Sequence, residues 1–309
     1  MRITFFGSPQ EAADALSSLI TAGHEVAAVY SQPDRRAGRG RTKSPTPVSA
    51  FAKKHGLPVR TPRGLRNNPE ELTQLAETKS DVFVVVAYGR ILPPEVLRIA
   101  PMGVVNIHPS LLPLYRGPSP VVTAILDGQR QTGVTVMLLD EGMDTGPILK
   151  QSPKIDLDGT ERGADLQDHL FKEGALLLPG VLGGLQDGSI TPTPQDDSLA
   201  TITGLLERSD GEIDWSSSAV QIDRMVRAYD PWPGTFTSWN GKALKVLDVA
   251  VSPEPASAVG QVTVVEGRLL VGTSSGALEI TRLQLEGRQA VAADDFLRGQ
   301  PEINSATLG

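Results

Sequence analysis

The chain has no cysteine, which excludes disulfides, cysteine metal sites and thiol catalysis and fits a cytoplasmic protein. Its four histidines, His24, His55, His108 and His169, are scattered, so no structural zinc site is expected. No apolar run approaches the roughly 18 residues needed to cross a membrane. Met1-Arg2-Ile3-Thr4-Phe5-Phe6 lacks the long apolar stretch and small-residue cleavage site of a signal peptide. Gly7-Ser8-Pro9 stands where a dinucleotide loop would stand, but without Gly-x-Gly-x-x-Gly spacing. Gly38-Arg39-Gly40 likewise lacks the Gly-Lys-Ser/Thr of a phosphate loop. NAD and ATP chemistry are therefore not expected.

What is present is an ordinary globular composition, 39% hydrophobic and 21% charged, in 309 residues. That length accommodates two domains or one large one. The net charge of −7 argues against wholesale nucleic-acid binding, yet the charge is uneven. Residues 1–60 hold nine Lys/Arg against four Asp/Glu, and five of those cations lie between Arg35 and Lys43. The rest of the chain is strongly acidic, so any anionic polymer would be met through a local patch.

Over roughly the first 150 residues, apolar β-branched runs alternate with amphipathic segments, the pattern of a doubly wound, mostly parallel α/β sheet. Strands are expected at Arg2 to Phe6, Val26 to Ser31, Asp81 to Ala87, Val104 to Ile107, Val134 to Leu139 and Ile148 to Ile155. Helical spacing of Leu166, Leu170, Leu177, Val181 and Leu185 predicts a long helix from about Thr160. Composition then shifts to Asp, Gly, Thr and Pro, which reads as a linker. The domains are thus expected at 1–188 and 211–309, joined by a linker at 189–210. In the second, a helix from Ala219 to Ala228 leads into short turn-separated strands. Asn240-Gly241 signals a two-residue hairpin, and the set suggests a small β-barrel.

Chemistry concentrates where apolar strands end. In Val104-Val105-Asn106-Ile107-His108-Pro109-Ser110, residues i and i+2 of a strand share a face, so Asn106 and His108 are placed together. Ligands of open α/β sheets bind beyond the carboxyl ends of the strands. A second apolar run, Val134 to Leu139, leads to the glycine-rich loop that contains Asp144. An amide, an imidazole and a carboxylate are what acyl transfer to an amine needs: oxyanion stabilisation and a proton acceptor. His24 and His55 adjoin glycines at helix ends, where imidazole caps well, and His169 lies mid-helix.

Asn106-Ile107-His108, the loop Ser110-Leu111-Leu112-Pro113-Leu114-Tyr115-Arg116-Gly117 and Asp144-Thr145-Gly146 together resemble the folate-dependent formyltransferases. So do Gln32 to Gly40, Ala87-Tyr88-Gly89-Arg90-Ile91-Leu92-Pro93, Ile213-Asp214-Trp215, Arg227 to Gly234 and Asp295 to Gly299. The motifs occur in order over nearly the whole chain. The resemblance implies a Rossmann-like catalytic domain and an OB-like C-terminal barrel. It implies formyl transfer from 10-formyltetrahydrofolate to an amine, with Asn106 and His108 holding the oxyanion and Asp144 charging His108 and helping to remove the proton.

Folate is expected along Ser110, Leu111, Leu112 and Pro113 and against Tyr88, Gly89, Ile91 and Leu92, with no metal. Within the family, the motifs look like the branch that acts on methionyl initiator tRNA. For that branch the cations Arg35, Arg36, Arg39, Arg41 and Lys43 would meet the nucleic acid of a cytoplasmic, monomeric enzyme. An amino-sugar or purine-precursor acceptor, a formate-releasing hydrolase and a non-catalytic RNA-binding relative are the alternatives. Residues 211–309 hold eight Lys/Arg against twelve Asp/Glu, unusual for a domain expected to meet RNA.

Overall fold

The structure, a computed structural model, describes residues 1–37, 42–255 and 257–309. It comprises two compact units: residues 1–120, 132–155 and 167–203 form the first, and 121–131, 156–166 and 204–309 the second. No described helix is long and apolar enough to cross a membrane.

Along the first 108 residues run β1 (Arg2–Gly7), α1 (Gln10–Thr21), β2 (Glu25–Tyr30), β3 (Arg35–Ala37), β4 (Thr42–Ser44), α2 (Pro47–Lys54), β5 (Val59–Arg60), α3 (Pro69–Glu77), β6 (Val82–Val86), α4 (Pro94–Leu97) and β7 (Val104–His108). Then come α5 (Pro120–Leu126), β8 (Gln131–Thr132), β9 (Thr135–Leu138), β10 (Ile148–Gln151), β11 (Ile155–Asp156) and α6 (Gly163–Asp187). Seven strands form one sheet in the order β10-β9-β7-β6-β1-β2-β5. The all-apolar β6 is buried at every position, as a central parallel strand covered on both faces must be. Chain order reverses between β1 and β6, which leaves a crevice at their carboxyl ends. Gly7 stands in it because a Cβ there would sit 2.9 Å from the Val86 carbonyl. Phe6 packs on Tyr30, Phe83 and Tyr88 to form the aromatic centre of one core cluster.

Two strands depart from the parallel pattern. β9 pairs antiparallel with β7, Asn106 opposite Met137 and His108 opposite Thr135, and β10 is antiparallel to β9. The connection 139–147 is shorter than the dozen or so residues a parallel crossover needs, so β9 and β10 form a hairpin. The carboxyl end of β9 therefore lies beside Val105, not beside His108. The helices α2 and α3 and the short strands β3, β4 and β5, between Arg35 and Glu77, were not among the expected elements.

The segment expected as a linker, 189–210, is held to the first unit as far as Thr203. Thr193 exchanges backbone hydrogen bonds with Ile148, and Thr201 and Thr203 with the loop from Pro113 to Arg116.

In the second unit, α7 (Ala219–Ala228) starts at a Ser218/Gln221 capping box, which satisfies its free amide groups. It precedes β12 (Thr235–Trp239), β13 (Lys242–Ser252), β14 (Val262–Val265), β15 (Arg268–Gly272), β16 (Ala277–Leu285), β17 (Val291–Ala292) and α8 (Ala293–Gly299). The sheet is antiparallel, ordered β12-β13-β16-β15-β14, with β17 on β16. Asn240 and Gly241 both take positive φ, as a tight two-residue hairpin demands. Trp215, Trp239 and Phe296 anchor a separate core.

Helix α6 contains two glycines of opposite character. A Cβ at Gly174 would collide with Ile107 Cγ2 on the back of β7, whereas one at the exposed Gly180 would meet nothing. Gly174→Ala is expected to destabilise by about 1–3 kcal/mol through overpacking. Gly180→Ala is expected to stabilise by about 0.5–1 kcal/mol by restricting the unfolded chain. Denaturant unfolding of the two variants checks both signs.

Candidate active site

Strand alternation turns Ile107 to the back, where it is buried, and places Asn106 and His108 on the other face of β7. Asn106 is half-buried, and among the described residues its amide has no hydrogen-bond partner in the protein. His108 is 4% exposed. Its Nε2 lies 2.9 Å from the Tyr115 carbonyl; a carbonyl only accepts, so Nε2 donates the proton. The other ring nitrogen, Nδ1, lies 3.6 Å from Asp144 Oδ2. Asp144 Oδ2 in turn accepts a 2.8 Å hydrogen bond from the Gly117 amide.

Burial holds the His108 imidazole below its ordinary pKa by penalising the charged form. The Asp144 carboxylate and the Tyr115 carbonyl oppose that shift by favouring the cation. The result is a neutral, desolvated base whose cation has a carboxylate waiting for it.

The strand order alone would not bring Asp144 here. It stands in the hairpin loop after β9 with φ +54°, a conformation that Asp tolerates better than most residues. Asp140 shapes the loop by accepting from the Gly142 amide and the Thr145 hydroxyl. Ala87 after β6 and Tyr115 also have positive φ. Three non-glycine residues in this region, each costing about 1–3 kcal/mol, mark segments held by their surroundings.

Of the residues expected to bind folate, Ser110 to Pro113 follow β7 directly. Thr135 donates to the Ser110 carbonyl and accepts from the Leu112 amide, while Gln151 donates to the Leu112 carbonyl. The backbone of this loop is thus pinned by β9 and β10, with Leu112 itself 3% exposed. Tyr88 was expected to wall a pocket; its ring is in the core against Phe6. Its carbonyl accepts from Gln32 and from Ser8. Burial pushes the Tyr88 phenol up to about 12. Gly89 has φ +72°, Leu92 is buried, and Ile91 is 87% exposed.

Of the expected tRNA contacts, Arg35, Arg36 and Lys43 fall on the two-stranded ribbon β3–β4, where Arg36 pairs with Lys43. Arg39 and Arg41 lie outside the described residues.

Residues that carried no expectation complete the site. Arg116 is 4% exposed; its Nε donates to Gln195 Oε1 and its Nη2 to Asp197. The Gln195 amide donates to the carbonyls of Asp144 and Gly146. Arg116-Gly117, at the end of an apolar loop, was a visible signal. Gln195 had none, because it stands in a polar tract that reads as linker.

The chain matches two family models, formyl transferase over residues 1–182 and formyl transferase, C-terminal domain, over residues 205–301. It is 48% identical to a methionyl-tRNA formyltransferase of Chloroflexus aggregans, with all of both chains covered. Among solved structures it is similar to an N-formyltransferase from Helicobacter canadensis in complex with folinic acid and dTDP-3-aminofucose. That match has a TM-score of 0.67 at 18% identity and covers 90% of this chain and 98% of that one. HypX from Aquifex aeolicus in complex with tetrahydrofolic acid matches with a TM-score of 0.66 at 20% identity, covering 98% of this chain and 47% of that one.

The electrostatics of the pair make a direct prediction. His108 is expected to titrate below 6.5, because burial outweighs its two favourable partners. Asp144→Asn removes the carboxylate that raises the value, so the midpoint is expected to fall further. Imidazole chemical shifts followed against pH by NMR check both; a midpoint that rises in the variant contradicts the assignment.

Proposed function

The chain belongs to the formyl transferase family, and on that premise we propose that it moves the formyl group of 10-formyltetrahydrofolate to the α-amine of methionine esterified to initiator tRNA. The product is N-formylmethionyl-tRNA, the charged tRNA of translation initiation. One observation carries the chemistry: a half-buried amide without a partner among the described residues, on the same strand face as a buried imidazole–carboxylate pair. The acceptor is read from 48% identity, with all of both chains covered, to a relative named for methionyl-tRNA.

The formyl donor supplies an activated one-carbon acyl group bonded to nitrogen. The neutral amine attacks its carbon, and the carbonyl electron pair moves to oxygen. Asn106 donates to that oxyanion; one such donor is worth about 10²–10³ in rate. The proton released by the attacking nitrogen passes to His108, directly or through water, and Asp144 stabilises the imidazolium. That transient cation adds to the stabilisation of the oxyanion. As the carbon–nitrogen bond to the donor breaks, His108 returns the proton to the leaving nitrogen.

Folate fits the pinned loop Ser110-Leu111-Leu112-Pro113 and the main chain from Tyr88 to Leu92, where a flat apolar ring finds apolar cover and backbone hydrogen-bonding groups. The cations Arg35, Arg36, Arg39, Arg41 and Lys43 meet tRNA phosphates or base edges, and the acidic remainder discourages indiscriminate RNA binding. We further read residues 1–188 as the catalytic domain, 189–210 as the connection, and 211–309 as an OB-like barrel contacting tRNA, in a cytoplasmic monomer.

Transfer of radiolabelled formyl onto charged initiator tRNA is the expected activity, with elongator tRNA and free amino sugars as poor acceptors. Transfer to an amino sugar instead, or release of formate alone, would displace this reading. For the folate slot, Ile91→Asp places a charge at an exposed apolar position. It is expected to weaken folate binding tenfold or more, since covering an Ile side chain is worth about 1.5–3 kcal/mol, without a change in melting temperature. Unaltered folate affinity in that variant places the pterin elsewhere.

A further inference from the structure

The segment from Thr193 to Thr203 is mostly exposed, yet its hydrogen bonds reach both loops that hold the reacting pair. At one end Thr193 is bonded to Ile148, the first residue of the strand leaving the Asp144 hairpin. At the other, the Thr201 amide donates to the Pro113 carbonyl and the Thr201 hydroxyl accepts from the Tyr115 amide. Thr203 donates to the Arg116 carbonyl, and its hydroxyl accepts from the Ser119 amide. A Cβ at Gly117 would lie 2.7 Å from the Thr203 carbonyl, so the segment presses on the residue whose amide binds Asp144.

Gln195 stands where this segment crosses from one loop to the other. Its Nε2 donates to the Asp144 carbonyl at 2.8 Å and the Gly146 carbonyl at 2.7 Å. Its Oε1 accepts from Arg116 Nε at 3.0 Å. These partners leave one consistent amide orientation, since carbonyls only accept and a guanidinium only donates. The buried Arg116 lies between Tyr115, whose carbonyl binds His108, and Gly117, whose amide binds Asp144. One side chain therefore cross-links the loop that orients the imidazole to the left-handed turn that presents the carboxylate.

We infer that Gln195 is a positioning residue for the reaction, acting through the Asp144 turn to hold the carboxylate against His108. The inference rests on the proposed role of that pair. Gln195→Ala removes both the donor and the acceptor. Gln195→Glu keeps an oxygen for Arg116 and nearly the same volume but puts an acceptor against two carbonyls. Small displacements in such sites cost up to about 100-fold in rate.

The test uses the full chain. In formyl transfer to charged initiator tRNA, both variants are expected to lose tenfold to 100-fold in kcat. KM for the folate donor and for tRNA should stay within about threefold, and the folded fraction should match the parent. In an Asp144→Ala background, Gln195→Ala should cost less than threefold more, because residues acting as a unit are non-additive. A purely structural strut would multiply its loss in that background, and such a result overturns the inference, as does unchanged kcat. A second readout needs no substrate. Gln195→Ala should lower the NMR titration midpoint of His108, in the direction expected for Asp144→Asn, and an unmoved midpoint overturns the positioning role. If the parent chain fails to formylate tRNA while Gln195→Ala still moves that midpoint, the failure belongs to the proposed reaction and the positioning role stands.

Discussion

In the proposed reaction, a proton acceptor that must stay neutral until it is used, yet be stable once charged, is the constraint on which this site depends. Removing His108 from water secures the first property, and setting Asp144 beside it secures the second. The two requirements oppose each other, because the same burial that keeps the imidazole neutral penalises its cation. The balance holds only while the carboxylate stays at a fixed distance. That need explains why so many backbone groups converge on two side chains: the Tyr115 carbonyl on the imidazole, the Gly117 amide on the carboxylate, and a third segment across both loops.

The sheet supplies the rigid base. Val82 to Val86 and the inward positions of β1 and β7 are buried, so the strand carrying Asn106 and His108 cannot shift without repacking a core at interior density. Gly174 lets α6 approach the back of that strand closely. Left-handed residues fall instead on the loops, at Ala87, Tyr115 and Asp144. The second unit has its own core around Trp215 and Trp239. Charge is distributed along the same division, with the cations between Arg35 and Lys43 on an otherwise acidic chain.

Local patterns were legible wherever one segment carries its own physics. The helix Ala219–Ala228 falls where its periodicity places it, and the short turn-separated strands follow it. Alternation along β7 was enough to put Asn106 and His108 on one face, and Asn240-Gly241 was enough to make a hairpin. Other features depended on partners that the local sequence does not name. The Tyr88 ring sits beside a glycine-containing turn, where a binding role is plausible from composition. The aromatic neighbour that draws it into the core, Phe6, comes from β1, and the cluster they share includes Tyr30 of β2 and Phe83 of β6.

By itself the sequence determined the candidate groups, the alternation of strands and helices and the family, because these are written in residue type and short-range spacing. Tertiary structure decided their meeting. Strand direction is set by pairing, and β9 pairs antiparallel to β7, so Asp144 reaches His108 through a hairpin loop rather than a shared strand end. Gln195 shows the same limit more sharply. It stands 51 positions from the carbonyl it holds, in a tract whose composition signals only a linker. A hydrogen bond between groups so far apart in sequence leaves no periodic trace, and only the folded chain brings its donor and acceptor together.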